Sequence, residues 1–261
     1  MIPPFRLSGN HTQSYSILEI ENMSKSTQYQ YDPELATTLS YCQAPQNQKS
    51  RALFVNQVLN YVSVQLLITT IISTAMYRNR DSVIKSFNND PGLFWSPVIM
   101  TFISLVCMFL KSCRKVMFWV FTVSCSIMVA TSVLQYSPQV VLKAVVTTMF
   151  IVWMVNGYSY WCVKNNKDLS FMEPFLGSGL CMLILIIIMN FFIQSTFIQS
   201  LITIFGVMIF TGFLLFDLNR LYDKGEEEVG DPMLAAVNIY LDIINLFIYL
   251  LELYNSCDEK K

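Results

Sequence analysis

Charge and histidine are scarce in this sequence, and the glycine-rich and paired-cysteine motifs that mark nucleotide or metal sites are missing. Aspartate, glutamate, lysine and arginine make up 13% of 261 residues, against about 25% in ordinary soluble domains. The single histidine, His11, stands in a polar N-terminal stretch. The chain therefore has no means of building a histidine-based zinc site, a histidine general base or a Ser–His intramembrane protease. No Walker-type glycine loop, nucleotide fingerprint or covalent-nucleophile motif occurs, so neither an enzyme nor a cofactor is expected. The net charge of −1 gives nucleic acid nothing to bind. Seven cysteines are scattered without C-x-x-C spacing, most of them in apolar runs where a thiol acts as a small buried hydrophobe.

Apolar residues are what the chain has in quantity: 54% of positions, with a mean hydropathy of +0.46. A transmembrane helix needs about 20 mostly apolar residues to cross roughly 30 Å of hydrocarbon. Such segments run near Val55–Met76, Phe94–Leu110, Val116–Leu134, Val140–Trp161, Phe171–Phe192, Phe197–Leu221 and Leu234–Tyr254. The breaks between them are short and polar. Ser137-Pro138 precedes the fourth segment, and Gln194-Ser195-Thr196 alone divides the fifth from the sixth. The expected fold is an all-α membrane protein, a bundle of seven transmembrane helices with its surface in the lipid bilayer. Residues 51–257 form that domain. Residues 1–50 read as a disordered polar cytosolic tail, rich in Ser, Gln, Asn and Tyr, and residues 258–261 as a short charged tail. The tail holds two sequons, at Asn10 and Asn22.

Loop cations set the orientation. The breaks after spans two, four and six carry Lys111, Arg114, Lys115, Lys164, Lys167, Arg220 and Lys224, which places the N-terminus in the cytosol. The break after span one, with Arg78, Arg80 and Lys85, is an exception to the pattern.

Ionisable residues inside a span are costly and point to function. Asp217 lies near the cytosolic end of span six, and Asp242 in the first half of span seven. Counted along their helices at 1.5 Å per residue, both stand roughly 7–12 Å in from the cytosolic side. Two carboxylates meeting in a low-dielectric site titrate as a pair, and can sense pH where a single carboxylate does not. They can also attract a hard divalent cation such as Ca²⁺, so Asp217 and Asp242 are the candidate metal contacts. The competing reading is that each aspartate merely reaches water at a helix end. Asn245, one turn past Asp242, can supply an oxygen on the same face or join helices, and Asn219 is a further supporting polar group. Glu173 and Glu252 sit near span ends, where solvation explains them. Glu226–Glu228 with Asp231 reads as a solvated loop, or as a cation-attracting vestibule. A paired aspartate can also serve an intramembrane aspartyl protease, but that signature has Gly beside the second aspartate, and Asp242 is flanked by Leu241 and Ile243.

The segment Ala235-Ala236-Val-Asn-Ile-Tyr240-Leu-Asp242-Ile-Ile-Asn245-Leu-Phe-Ile-Tyr-Leu-Leu closely resembles the final helix of the Bax-inhibitor/Lifeguard family. Phe210-Thr-Gly-Phe-Leu-Leu-Phe216-Asp217 is similar to the ending of that family's sixth helix. Ser50-Arg-Ala-Leu-Phe-Val, Gln65-Leu-Leu-Ile-Thr and Lys167-Asp168-Leu-Ser-Phe resemble its other segments, from about Arg51 to Cys257. The resemblance implies a seven-helix bundle with the last helix at its centre. It further implies that Asp217 and Asp242 match a paired-aspartate pH sensor governing a Ca²⁺ leak from an internal store. The resemblance also implies inhibition of apoptosis, at the endoplasmic reticulum or Golgi, with the plasma membrane as the alternative address. Ca²⁺ and protons are then the small partners, and apoptosis-regulating membrane proteins the large ones. Leu218-Asn219 replaces the family's usual Thr-Gln after the sixth-helix aspartate. Span two has no arginine to match the family's second-helix latch, and Arg114 in the next loop is the positional candidate. Two other classes remain beside the leak channel: a non-conducting scaffold for cell-death or stress proteins, and a proton-coupled cation exchanger.

Overall fold

The computed structural model describes residues 33–90, 92–110, 113–167, 169–225 and 230–258. Among these residues every regular element is an α-helix: α1 (Pro33–Arg78), α2 (Arg80–Asn89), α3 (Gly92–Cys107), α4 (Arg114–Val133), α5 (Pro138–Lys164), α6 (Met172–Ile193), α7 (Thr196–Asp223) and α8 (Pro232–Asp258). The chain divides into two compact units, residues 1–47 and 48–261. Most of the tail expected to be disordered, with both sequons and His11, lies outside the described residues. From Pro33 onward the described chain is helical. Pro33 fits a first helical turn, and Leu35, Ala36, Leu39, Gln43 and Ala44 are strong helix formers that extend α1 upstream of its apolar stretch.

Among the described residues six helical stretches are long and apolar enough to cross a membrane: Ser50–Arg78, then α4, α5, α6, α7 and α8. The chain is an integral membrane protein. The segment expected as the second span is shorter than the rest, with an apolar run of Trp95–Cys107. At 16 residues α3 is about 24 Å long. Beyond Cys107 the backbone tightens into turns, with Phe109 N–H on the Val106 carbonyl and Leu110 N–H on Cys107.

The turns follow from their residues. Ser137 caps α5, its hydroxyl accepting from Val140 N–H at 3.4 Å, and Pro138 fills the first turn, where no amide partner is needed. Gln194 ends α6 in the left-handed region (φ 52°), and the Asn190 carboxamide oxygen accepts from Ser195 N–H at 3.1 Å. That pair closes the α6–α7 hairpin in two residues.

Contacts between chain-distant residues define the two ends of the helical unit. At one end a Cβ on Gly225 would stand 3.0 Å from Arg51 Cγ, and Arg114 pairs with Asp231. At the other end Lys143 meets Asp258 at 3.2 Å, and the Thr147 and Tyr254 hydroxyls bond at 2.7 Å. The long helices thus alternate in direction.

Apolar surface is turned outward as well as inward. Phe175, Phe191, Phe192 and Trp153 are largely exposed, as suits a lipid-facing surface. Inside, α8 is the most thoroughly buried span, packing on α7, α5 and α4. Its Ala236, Tyr240, Leu246 and Leu251 are sealed completely. A polar seam joins it to the rest: Thr69 of α1 bonds the Tyr240 hydroxyl at 2.8 Å and Ser126 of α4 at 2.9 Å. Gln65 of α1 donates to Thr122 at 3.1 Å. Such side-chain bonds hold helices together where lipid leaves no hydrophobic force between them.

Candidate site at the α7–α8 interface

The two aspartates come from consecutive helices whose packing is the most extensive in the bundle. Small residues permit it. A Cβ on Gly206 of α7 would lie 2.6 Å from the Tyr249 ring of α8, so only glycine allows this approach. The chain returns from α7 to α8 through Gly225 (φ +56°) and Gly230 (φ +75°), both in the left-handed region that glycine enters without strain.

Asp231 then starts α8. Its carboxylate accepts from Met233 N–H at 2.8 Å, and its carbonyl from Ala235 N–H at 3.2 Å. The Arg114 guanidinium pairs with that same carboxylate, while Arg114 Nε donates to the Met108 carbonyl at 3.1 Å. One arginine therefore ties the end of α3 and the start of α4 to the first turn of α8.

Ten residues on from Pro232, roughly 15 Å along the axis, stands Asp242. It is buried, and its Oδ2 has no hydrogen-bond partner among the described residues. Its charged neighbour is Asp217 of α7. Asp217 is half-buried, with Arg220 one turn on and Glu173 of α6 as its own charged neighbours. The two aspartates singled out from the sequence thus stand as electrostatic neighbours on facing helices, Asp242 buried and Asp217 half-buried.

The other candidates fall differently. Asn245 lies one turn past Asp242, half-buried on the same flank. Asn219 is buried with its Nδ2 unpartnered among the described residues, but two positions from Asp217 it points to another side of α7. Arg114, the candidate latch, holds Asp231 and the Met108 carbonyl rather than either aspartate. The loop residues Glu226, Glu227 and Glu228 lie outside the described residues. Among the described residues no group of three or more His, Cys, Asp or Glu side chains gathers as a resident metal centre.

Sequence reading missed three features. Arg220, at i+3 from Asp217, is a cation beside that aspartate; its helical spacing was the available signal. Glu252 is not simply solvated at a span end, because Gln199 Nε2 donates to it while Gln199 Oε1 accepts from Asn190 at 2.7 Å. That network joins α6, α7 and α8 at the end opposite Arg114. Tyr222 donates to Asn156 at 2.6 Å, linking α7 to α5 near the aspartates' end.

Comparison with known proteins bears on this arrangement. Residues 51–259 match the family model described as inhibitor of apoptosis-promoting Bax1. The BI1-like protein of Arabidopsis thaliana is 28% identical over 214 residues, covering 78% of this chain and 81% of that protein. Protein LIFEGUARD 2 of the same plant is 26% identical over 239 residues, or 87% of this chain and 98% of that one. The Golgi anti-apoptotic protein of vaccinia virus (strain Lister) is 27% identical over 214 residues, covering 80% and 88% respectively. With its apolar helices, its buried final span and a match running from the first span to the C-terminal tail, this chain belongs to the Bax-inhibitor family, the inhibitors of apoptosis-promoting Bax1.

Proposed function

We propose that this chain is a pH-sensitive, Ca²⁺-permeable leak channel of an internal membrane, and that by draining a store it inhibits apoptosis. The observation that carries the reading is Asp242, buried beside Asp217 with an oxygen left unsatisfied. A buried carboxylate pair exchanges protons as a unit. In its ionised form it offers hard oxygen ligands to a passing divalent cation, with Asn245 in reach of the same flank. Protonation removes that attraction and the repulsion between the two helices together. The site is thus built to couple pH to the α7–α8 spacing.

In this reading α3 is the seventh crossing. Its start follows α2 at one end, and Arg114 holds its last turns at the other. The thorough burial of α8 supports a central last helix. A relative carrying Golgi and anti-apoptotic in its name supports an internal membrane, Golgi or endoplasmic reticulum, and a role against cell death.

The test uses purified chain in liposomes loaded with a Ca²⁺ dye and a pH dye. A leak channel passes Ca²⁺ down its gradient without stoichiometric proton return. A fixed ratio of protons to Ca²⁺ would make it an exchanger. No flux at any pH between 6 and 8, from folded protein, would overturn conduction and leave the scaffold.

A further inference from the structure

Ten residues after the first span form a separate helix, α2, whose place in the chain leaves it few positions to occupy. Asn79 alone separates it from α1, and Asp90-Pro91 from α3. Asn79 Nδ2 donates back to the Ala75 carbonyl at 3.0 Å, and Asp90 accepts from Gly92 N–H at 2.9 Å. Both connections are tight. At about 15 Å, α2 is too short to cross a bilayer, and it carries Arg80, Asp81 and Lys85. It is fixed at the boundary where two apolar helices end.

Its residues are sorted for that boundary. Val83, Ile84 and Phe87 fall within a 100° arc of the helix, with Ser82, Ser86, Lys85 and Asn89 on the opposite side. Val83 and Phe87 are half-buried where α2 packs against α3, and Ile84 is 38% exposed, open to its surroundings. Arg80 lies along the apolar arc in the first turn, placed for its stem to run over acyl chains and its head to reach outward. Trp95, in the first turn of α3 and 59% exposed, sits where indole rings collect at the membrane–water boundary.

We propose that α2 is an interfacial helix lying flat in the headgroup layer, with Ile84 and its arc against acyl chains, and Arg78, Arg80 and Lys85 bound to anionic lipid phosphates. This gives the one cation-rich break that contradicts the loop-charge pattern a task of its own. Three cations against Asp81 and Asp90 leave the segment with a net charge of +1, which complements lipid phosphate oxygens. The helix serves as a float that fixes the depth of α1 and α3 in the leaflet.

The test uses the unmodified full chain in nanodiscs containing a phospholipid with a photoreactive diazirine near the glycerol end of its acyl chain. Adducts are mapped by peptide mass spectrometry, with the exposed lipid-facing Phe102 and Val106 of α3 as the internal positive control. The expected result is labelling at Ile84 and its arc, several-fold above Ser82, Ser86 and Asn89. Labelling should rise when the probe lipid is anionic, and that rise should vanish in the Arg78→Gln/Arg80→Gln/Lys85→Gln chain. Labelled α3 with an unlabelled 80–90 segment, or labelling without facial bias, would overturn the flat helix. Equal labelling by anionic and zwitterionic probes would overturn the phosphate contacts.

Discussion

Gly206 of α7 faces the ring of Tyr249 of α8 so closely that no side chain fits between them. Phe210, one turn along α7, stacks on the same ring with centroids 5.6 Å apart. This contact sets the spacing of the two helices that bring Asp217 and Asp242 together. Gly206→Ala should therefore destabilise the bundle by about 1–3 kcal/mol, the usual cost of overpacking. Gly206→Ala with Tyr249→Ala should be less unstable than the two single costs added. Thermal unfolding in detergent, run as a double-mutant cycle, checks this; simple additivity would mean the contact is not what spaces the helices.

The Arg114–Asp231 pair predicts an asymmetry. Asp231 both binds Arg114 and caps α8, whereas Arg114 can lose its charge and leave the cap intact. Asp231→Ala should cost about 1 kcal/mol more than Asp231→Asn, which loses the ion pair and keeps the cap, the usual worth of a lost N-cap. The part of the loss the two share should shrink at high salt, since the pair is partly open to water. Equal costs for both substitutions would contradict the capping role.

The polar seam gives opposite signs at two neighbouring positions. Tyr240→Phe removes the hydroxyl that Thr69 bonds, and should cost about 0.5–1.5 kcal/mol. Gln65 is buried with its Oε1 unpartnered among the described residues, while Thr122 keeps a second bond to the Phe118 carbonyl at 2.9 Å. Gln65→Leu should then be neutral or stabilising, because it removes a buried acceptor that nothing satisfies. A drop in melting temperature from Gln65→Leu as large as that from Tyr240→Phe would contradict this account.

Much of the fold was legible because lipid imposes a length. Apolar runs bounded by Ser137-Pro138 or Gln194-Ser195-Thr196 can only be spans and turns. The aspartates stood out for a related reason: charge is rare in such runs, so Asp217 and Asp242 had few rivals. The short α3 was read too long, since Met108, Phe109 and Leu110 are apolar yet lie in turns. α2 was read as a polar break because three apolar residues in ten give a weak periodic signal. Pairing across the chain was the part out of reach. Nothing local in Arg114 says that it will meet Asp231 rather than an aspartate deeper in the bundle, and nothing in Glu252 announces Gln199.

The central claim is that Asp217 and Asp242 act as one proton-sensing unit on a Ca²⁺ pathway. Its most direct test is Ca²⁺ flux into dye-loaded liposomes from pH 6 to 8, for the wild-type chain, Asp217→Asn and Asp242→Asn. The account predicts a flux that varies with pH in the wild type and becomes flat, either abolished or fixed, in each single variant, with thermal unfolding showing all three folded. A pH profile that survives both substitutions unchanged would contradict it.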